Sequence, residues 1–199
     1  MFSLKAVKVK HIVSIAVSLI LVLAAAYMIF GFSAEIGPDS SKHSGKITNG
    51  VIKVKYPDYN KYSVSKQTKV RTTVEVVVRK TAHLTEYVLL GAALFVHTIS
   101  IKTYISAKKA GFLKGSGTEP IFKSRTGVLK AVKTPIFTAF ALGVLYASSD
   151  EFHQRFVSER AARVTDVLID STGVILGITL VFLVIFIINK ASRKKVSLD

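Results

Sequence analysis

The chain contains no cysteine. Disulfides, thiolate zinc sites and cysteine nucleophiles are therefore excluded, and the redox state of its compartment leaves no trace in the sequence. Acidic residues are scarce, 12 against 28 Lys and Arg, which gives a formal net charge of +16. In a soluble protein that balance would suggest a nucleic-acid partner, but no nucleic-acid motif accompanies the basic residues, and the reading is no nucleic acid. Also missing are a Gly-rich phosphate loop, a nucleophilic serine elbow and a paired-histidine zinc-protease helix. There is no internal repeat and no low-complexity tract.

Apolar sequence is abundant instead. Half of the 199 residues are hydrophobic, mean hydropathy is +0.43, and yet a fifth are charged. The two properties coexist because apolar and charged residues are segregated, as they are when membrane spans alternate with polar loops. Four apolar stretches stand out, at about residues 12–32, 82–101, 132–149 and 167–189. Each is near the roughly 20 residues a helix needs to cross the hydrocarbon core. Runs of this length argue for helices over barrel strands, which would be shorter and alternating. The expectation is one all-α membrane domain over 1–199, a four-helix transmembrane bundle. The first stretch follows Lys5, Lys8 and Lys10 like a signal peptide, but its apolar run is longer than a typical signal core, so it reads as a retained span.

Between spans one and two lies a long polar segment, 33–79. Part of it, Ile47 to Tyr56, alternates apolar and polar and suggests short strands; Lys66 to Lys80 mixes basic residues with valines and suggests a segment on the membrane surface. Residues 102–131 hold Gly111, Gly115, Gly117 and Pro120 among lysines and read as a basic loop, and 150–166 as a short charged connection. The distribution of Lys and Arg, including Lys190, Arg193, Lys194 and Lys195 in the tail, places both termini and the 102–131 loop in the cytoplasm of a multi-pass cell-membrane protein. The basic residues beside the spans then meet membrane lipid headgroups or other envelope anions.

The ends of the spans carry the chemistry. In Lys80-Thr81-Ala82-His83-Leu84-Thr85-Glu86-Tyr87, helical spacing puts Lys80, His83 and Tyr87 on one face with Glu86 beside them. The third span ends with Tyr146, Asp150, Glu151, His153 and Gln154; the fourth opens with Arg160, Arg163, Asp166 and Asp170, then Gly173 and Gly177. In an alternating bundle these three ends share one membrane face. Asp170 falls about one turn inside the bilayer, where an unpaired charge is costly and marks a functional-site candidate. The candidate polar pocket is Lys80, His83, Glu86, Tyr87, Asp150, Glu151, His153, Gln154, Arg160, Asp166 and Asp170.

Several readings of this cluster are open. His83, Glu86, Asp150, His153 and Asp170, with Asp166 as a further donor, are candidate ligands for a divalent metal. The competing reading is a network of ion pairs with Lys80, Arg155 and Arg160 that fixes helix ends. Thr165 or Asp166 reads as a helix cap. Asp150 and Glu151 sit at a helix carboxyl end, where the dipole disfavours them, so Arg160, Lys80 or a metal is expected to offset them. His83 and His153 are candidate acid–base groups, and His97, away from the cluster, reads as structural. Gly173 and Gly177 read as a close intrachain helix contact, with dimerisation as the alternative.

The Lys80–Tyr87 run, Asp150-Glu151-Phe152-His153-Gln154, Arg160 and the Asp166–Gly173 run resemble the VanZ-like membrane protein family in order, spacing and placement at span ends. The resemblance covers roughly residues 12–189. It implies a small bacterial cell-envelope membrane protein of a family named for a protein linked to reduced susceptibility to teicoplanin. The segment 33–79 departs from the family pattern in length or composition. Three functions follow as expectations: a pocket for a lipid-linked or anionic envelope ligand, a metal-assisted hydrolase or transferase acting on a phosphate or acyl group, or a structural partner protein. A transporter is disfavoured, since four short spans lack the repeats and broken helices of one.

Overall fold

The computed structural model describes residues 4–34, 37–109, 125–158 and 163–196. Among these residues are five helices: α1 (Leu4–Ala34), α2 (Gly37–Lys55), α3 (Val64–Lys109), α4 (Arg125–Gln154) and α5 (Val164–Val196), with one 3-10 turn at Tyr59–Lys61. Four of them, α1, α3, α4 and α5, are long and apolar enough to cross a membrane. The protein is an all-α, multi-pass membrane protein.

The axis of the bundle is α3, which packs against every other helix. Its direction relative to each neighbour follows from cross-helix pairs. Ser18 and Ser14 of α1 meet His97 and Ser100 at 3.0 and 3.1 Å, so α1 is antiparallel to α3 and His97 takes part in the contact between them. Thr98 donates to the Pro135 carbonyl and Tyr87 to Asp150, so α4 is antiparallel as well. Lys80 pairs with Asp166 while Gly91 abuts Val174, so α5 runs parallel to α3. Between them sits a core of Ile29, Tyr87, Leu90, Phe95, Val132, Ala139, Ala147 and Val174. Tyr146 ties α4 to α1 by donating to the Ala26 carbonyl at 2.6 Å.

Where α3 crosses α5 the backbones nearly touch. A Cβ on Gly91 would lie 2.5 Å from the Val174 carbonyl oxygen, one on Gly173 2.6 Å from that of Leu84, and one on Gly177 would overlap that of Val88. In lipid, where apolar burial drives little helix association, such small-residue seams supply the contact. Gly173 and Gly177 therefore serve the intrachain packing expected of them.

The segment between the first two spans is not as its sequence suggested. Among the described residues there is no strand: Ile47 to Lys55 belongs to α2, and its apolar residues recur at helical as well as alternating intervals. What selects the helix is a partner. Thr48 and Ile52 are buried on α2, as is Val74 on α3, and Arg71 donates to Asn49 between the two. Nor is Lys66–Lys80 a separate surface segment. It is the first part of α3, whose 46 residues span about 69 Å, more than twice the roughly 30 Å hydrocarbon core. Most of the excess, 64–80, extends beyond the apolar stretch at one end, alongside α2, as a two-helix prong. Helices also consume the edges of the expected loops. The stretch 102–131 loses both ends to α3 and α4, with 110–124 outside the described residues, and 150–166 shrinks to the link between Gln154 and Val164.

Candidate functional site

At the base of the prong a cavity of about 150 Å³ is lined by Val76, Arg79, Lys80, His83, Glu151, Gln154, Arg163, Asp166, Ile169 and Asp170. Three helix ends build it, because antiparallel and parallel packing around α3 brings Lys80, Gln154 and Asp166 to one level. Lys80 Nζ meets Asp166 Oδ1 at 2.5 Å across the α3–α5 gap. The helix α5 starts at Val164, so Thr165 and Asp166 lie inside its first turn, not at the cap. There Asp166 still answers the positive end of the helix dipole.

Beneath the cavity the polar groups are buried. Asp150 accepts hydrogen bonds from Tyr87 Oη at 3.4 Å and Gln154 Nε2 at 3.2 Å, and Glu151 accepts one from the Arg163 backbone N–H at 2.8 Å. These donors contribute to offsetting the two carboxylates at the unfavourable end of α4. Asp170 is 2 % exposed, and its Oδ1 has no hydrogen-bond partner among the described residues. Asp150, Glu151, Asp166 and Glu86 all lie near enough to act on its charge. The site therefore has a negative floor under a rim that carries Arg79, Lys80 and Arg163.

A VanZ/LLP1 family model matches residues 18–187. The chain belongs to the VanZ/LLP1 family. Neither a curated protein nor a solved structure matches it. In this VanZ/LLP1 chain the described blocks that carry the resemblance, Lys80–Tyr87, Asp150–Gln154 and Asp166–Gly173, lie on α3, α4 and α5, and each contributes residues to the cavity.

The candidate set divides on inspection. Lys80, His83, Glu151, Gln154, Asp166 and Asp170 line the cavity, and Tyr87 and Asp150 lie directly under it. Glu86 instead lines a groove between α1, α2 and α3, although its Oε2 remains 3.7 Å from His83 Nδ1. His153 turns to α1, its ring 5.0 Å from that of Phe30. Arg160 lies outside the described residues. Among the described residues no three His, Asp or Glu side chains converge to hold a metal ion. Of the expected ligand set, His83 and Asp170 line the cavity with Asp150 close to Asp170, while Glu86 and His153 point elsewhere, because residues three apart on a helix point about 60° from one another. Arg79 was missed as a lining residue. Its signal was its position three residues after Val76 and four before His83, on the same helix face.

Proposed function

We propose that the cavity binds the anionic headgroup of a lipid-linked or other envelope ligand, in a bacterial cell-envelope protein. The observation that carries this reading is the pairing of three rim cations with a buried, hydrogen-bond-deficient Asp170. Arg and Lys suit phosphate or carboxylate groups, and the floor carboxylate suits a hydroxyl or amine donor next to that anion. The ligand class is thus an anion with a neighbouring O–H or N–H. The test uses protein in zwitterionic nanodiscs and photoactivatable lipid-linked cell-wall precursor, with teicoplanin as a second arm that reads the family's susceptibility link. Arg79→Gln/Arg163→Gln removes two cations that make no ion pair among the described residues, so the fold should persist. Precursor capture should fall at least about tenfold, as expected for lost charge-assisted hydrogen bonds. Undiminished capture of the precursor would refute the reading.

A structural role has its own support, since Lys80–Asp166 and Tyr87–Asp150–Gln154 tie three helices together. A rim variant that keeps its abundance and thermal midpoint but loses capture would contradict it.

We place the prong and cavity on the outer face, with both termini in the cytoplasm. The lack of cysteine makes this easy to check with single cysteines at Asn60, Gly115, Ser158 and Val196. An impermeant maleimide applied to intact cells should label positions 60 and 158 only; labelling at 115 and 196 instead would invert the orientation.

A further inference from the structure

On the side of α3 away from the cavity, a groove of about 600 Å³ runs between α1, α2 and α3. Its lower end is formed by Met28 and Phe32 of α1 with Leu89 of α3, inside the membrane-spanning stretches; its upper end is formed by Val51, Lys55 and Thr73, on the prong. From Thr73 to Leu89 it is about 24 Å long, which exceeds the roughly 15 Å of hydrocarbon in one leaflet.

Apart from Lys55, Tyr56 and Glu86, the lining is more apolar than its composition suggests. Three threonines border the groove, and each spends its hydroxyl proton on its own helix: Thr73 on the Lys69 carbonyl, Thr81 on that of Val77, Thr85 on that of Thr81, all at 2.8–2.9 Å. The apolar residues on the prong are nevertheless open. Ile47 is 60 % exposed and Val77 57 %. They stand beyond the apolar spans, in a stretch (37–80) with ten Lys and Arg against three acids.

We propose that this groove holds one hydrocarbon tail of an anionic membrane lipid, drawn up from the bilayer along the prong. Two features commit the occupant. The groove is continuous with helix surfaces that face lipid, so a chain enters it without crossing water, whereas a water-soluble partner reaches only its upper half. Its upper end carries Lys55, exposed and in no ion pair among the described residues, which complements a negative headgroup. Because the groove is longer than one leaflet, a tail that fills it carries its headgroup above the membrane plane. This site is separate from the cavity and stands whether or not the cavity binds an anion.

The experiment reconstitutes the full chain with phosphatidic acid bearing a diazirine along one tail, and in parallel with phosphatidylcholine bearing the same tail. Photolysis is followed by peptide mapping. Adducts on 47–55 and 73–78, at least fivefold more abundant from phosphatidic acid, are the expected result. Val77→Trp, which fills the groove from an exposed position, should abolish those adducts and leave those at Met28 and Leu89. Adducts confined to the lower end would overturn the proposal, because they report only annular lipid. Equal labelling by both lipids would overturn it as well. So would efficient disulfide formation between copies carrying Val51→Cys and copies carrying Val77→Cys, since a second chain would then fill the groove.

Discussion

Asp170→Asn is expected to raise the thermal midpoint of the detergent-solubilised protein by about 2–8 °C while reducing ligand capture at least about tenfold. The reasoning starts from a carboxylate oxygen buried without a hydrogen-bond partner among the described residues and set among four other carboxylates. Leaving a buried polar atom unsatisfied costs about 1–3 kcal/mol, of which about 1–2 kcal/mol is taken as recovered by the amide, and each kcal/mol corresponds to about 2–4 °C in a chain of this size. Asparagine has nearly the same shape, cannot ionise, and adds an N–H₂ that can donate to Asp150 or Glu151. A substitution that stabilises the fold while it disables the site is the pattern of a residue retained for function at the expense of stability. The chain has no tryptophan, so the melt is best followed by circular dichroism of the helices. A fall in midpoint would show that Asp170 holds the helices together, and would count for the structural reading.

Gly177→Val is expected to have the largest effect on folding. The new side chain would drive its Cβ into the Val88 carbonyl oxygen and to within 2.7 Å of the Ala92 nitrogen, both backbone atoms that no rotamer change can move. Overpacking costs typically about 1–3 kcal/mol, and a rigid backbone neighbour puts this case at the upper end, a loss of about 6–12 °C. Gly31→Ala is the control. Nothing lies within 4 Å of its Cβ position, so its midpoint should hold or rise slightly, since alanine favours helix. Equal behaviour of the two variants would show that α3 and α5 do not approach as closely as described.

The parts of this architecture that the sequence disclosed are those where one physical constraint leaves a single answer. About twenty apolar residues in lipid leave only a helix, and alternation of the spans then forces Lys80, Gln154 and Asp166 to one face. Asp170 stood out because a charge one turn inside a span demands an explanation. The division of the cluster was hidden because it depends on neighbours. His83 and Glu86 are three residues apart, and only the positions of α1 and α4 decide that one joins the cavity and the other the groove. His153 and Asp150 part for the same reason. The prong was hidden because the valine-rich run Val51–Val54 satisfies two periodicities, and its choice is made by the distant surface around Val74. One local signal was present: from Val64 to Leu90 there is neither glycine nor proline, so nothing stops a helix begun in the polar segment from running on into the bilayer.

That uninterrupted backbone sets a distance. A proline-free helix braced by α2 offers no hinge at the membrane face, so the tip cannot settle onto the headgroups without breaking consecutive helical hydrogen bonds. Val64 and the tyrosines beside it are held about 24 Å above the level of Lys80, several times the roughly 8 Å over which salt screens charge. The helix α3 thus acts as a spacer of fixed length, and the tip faces the aqueous phase beyond electrostatic reach of the surface from which it rises.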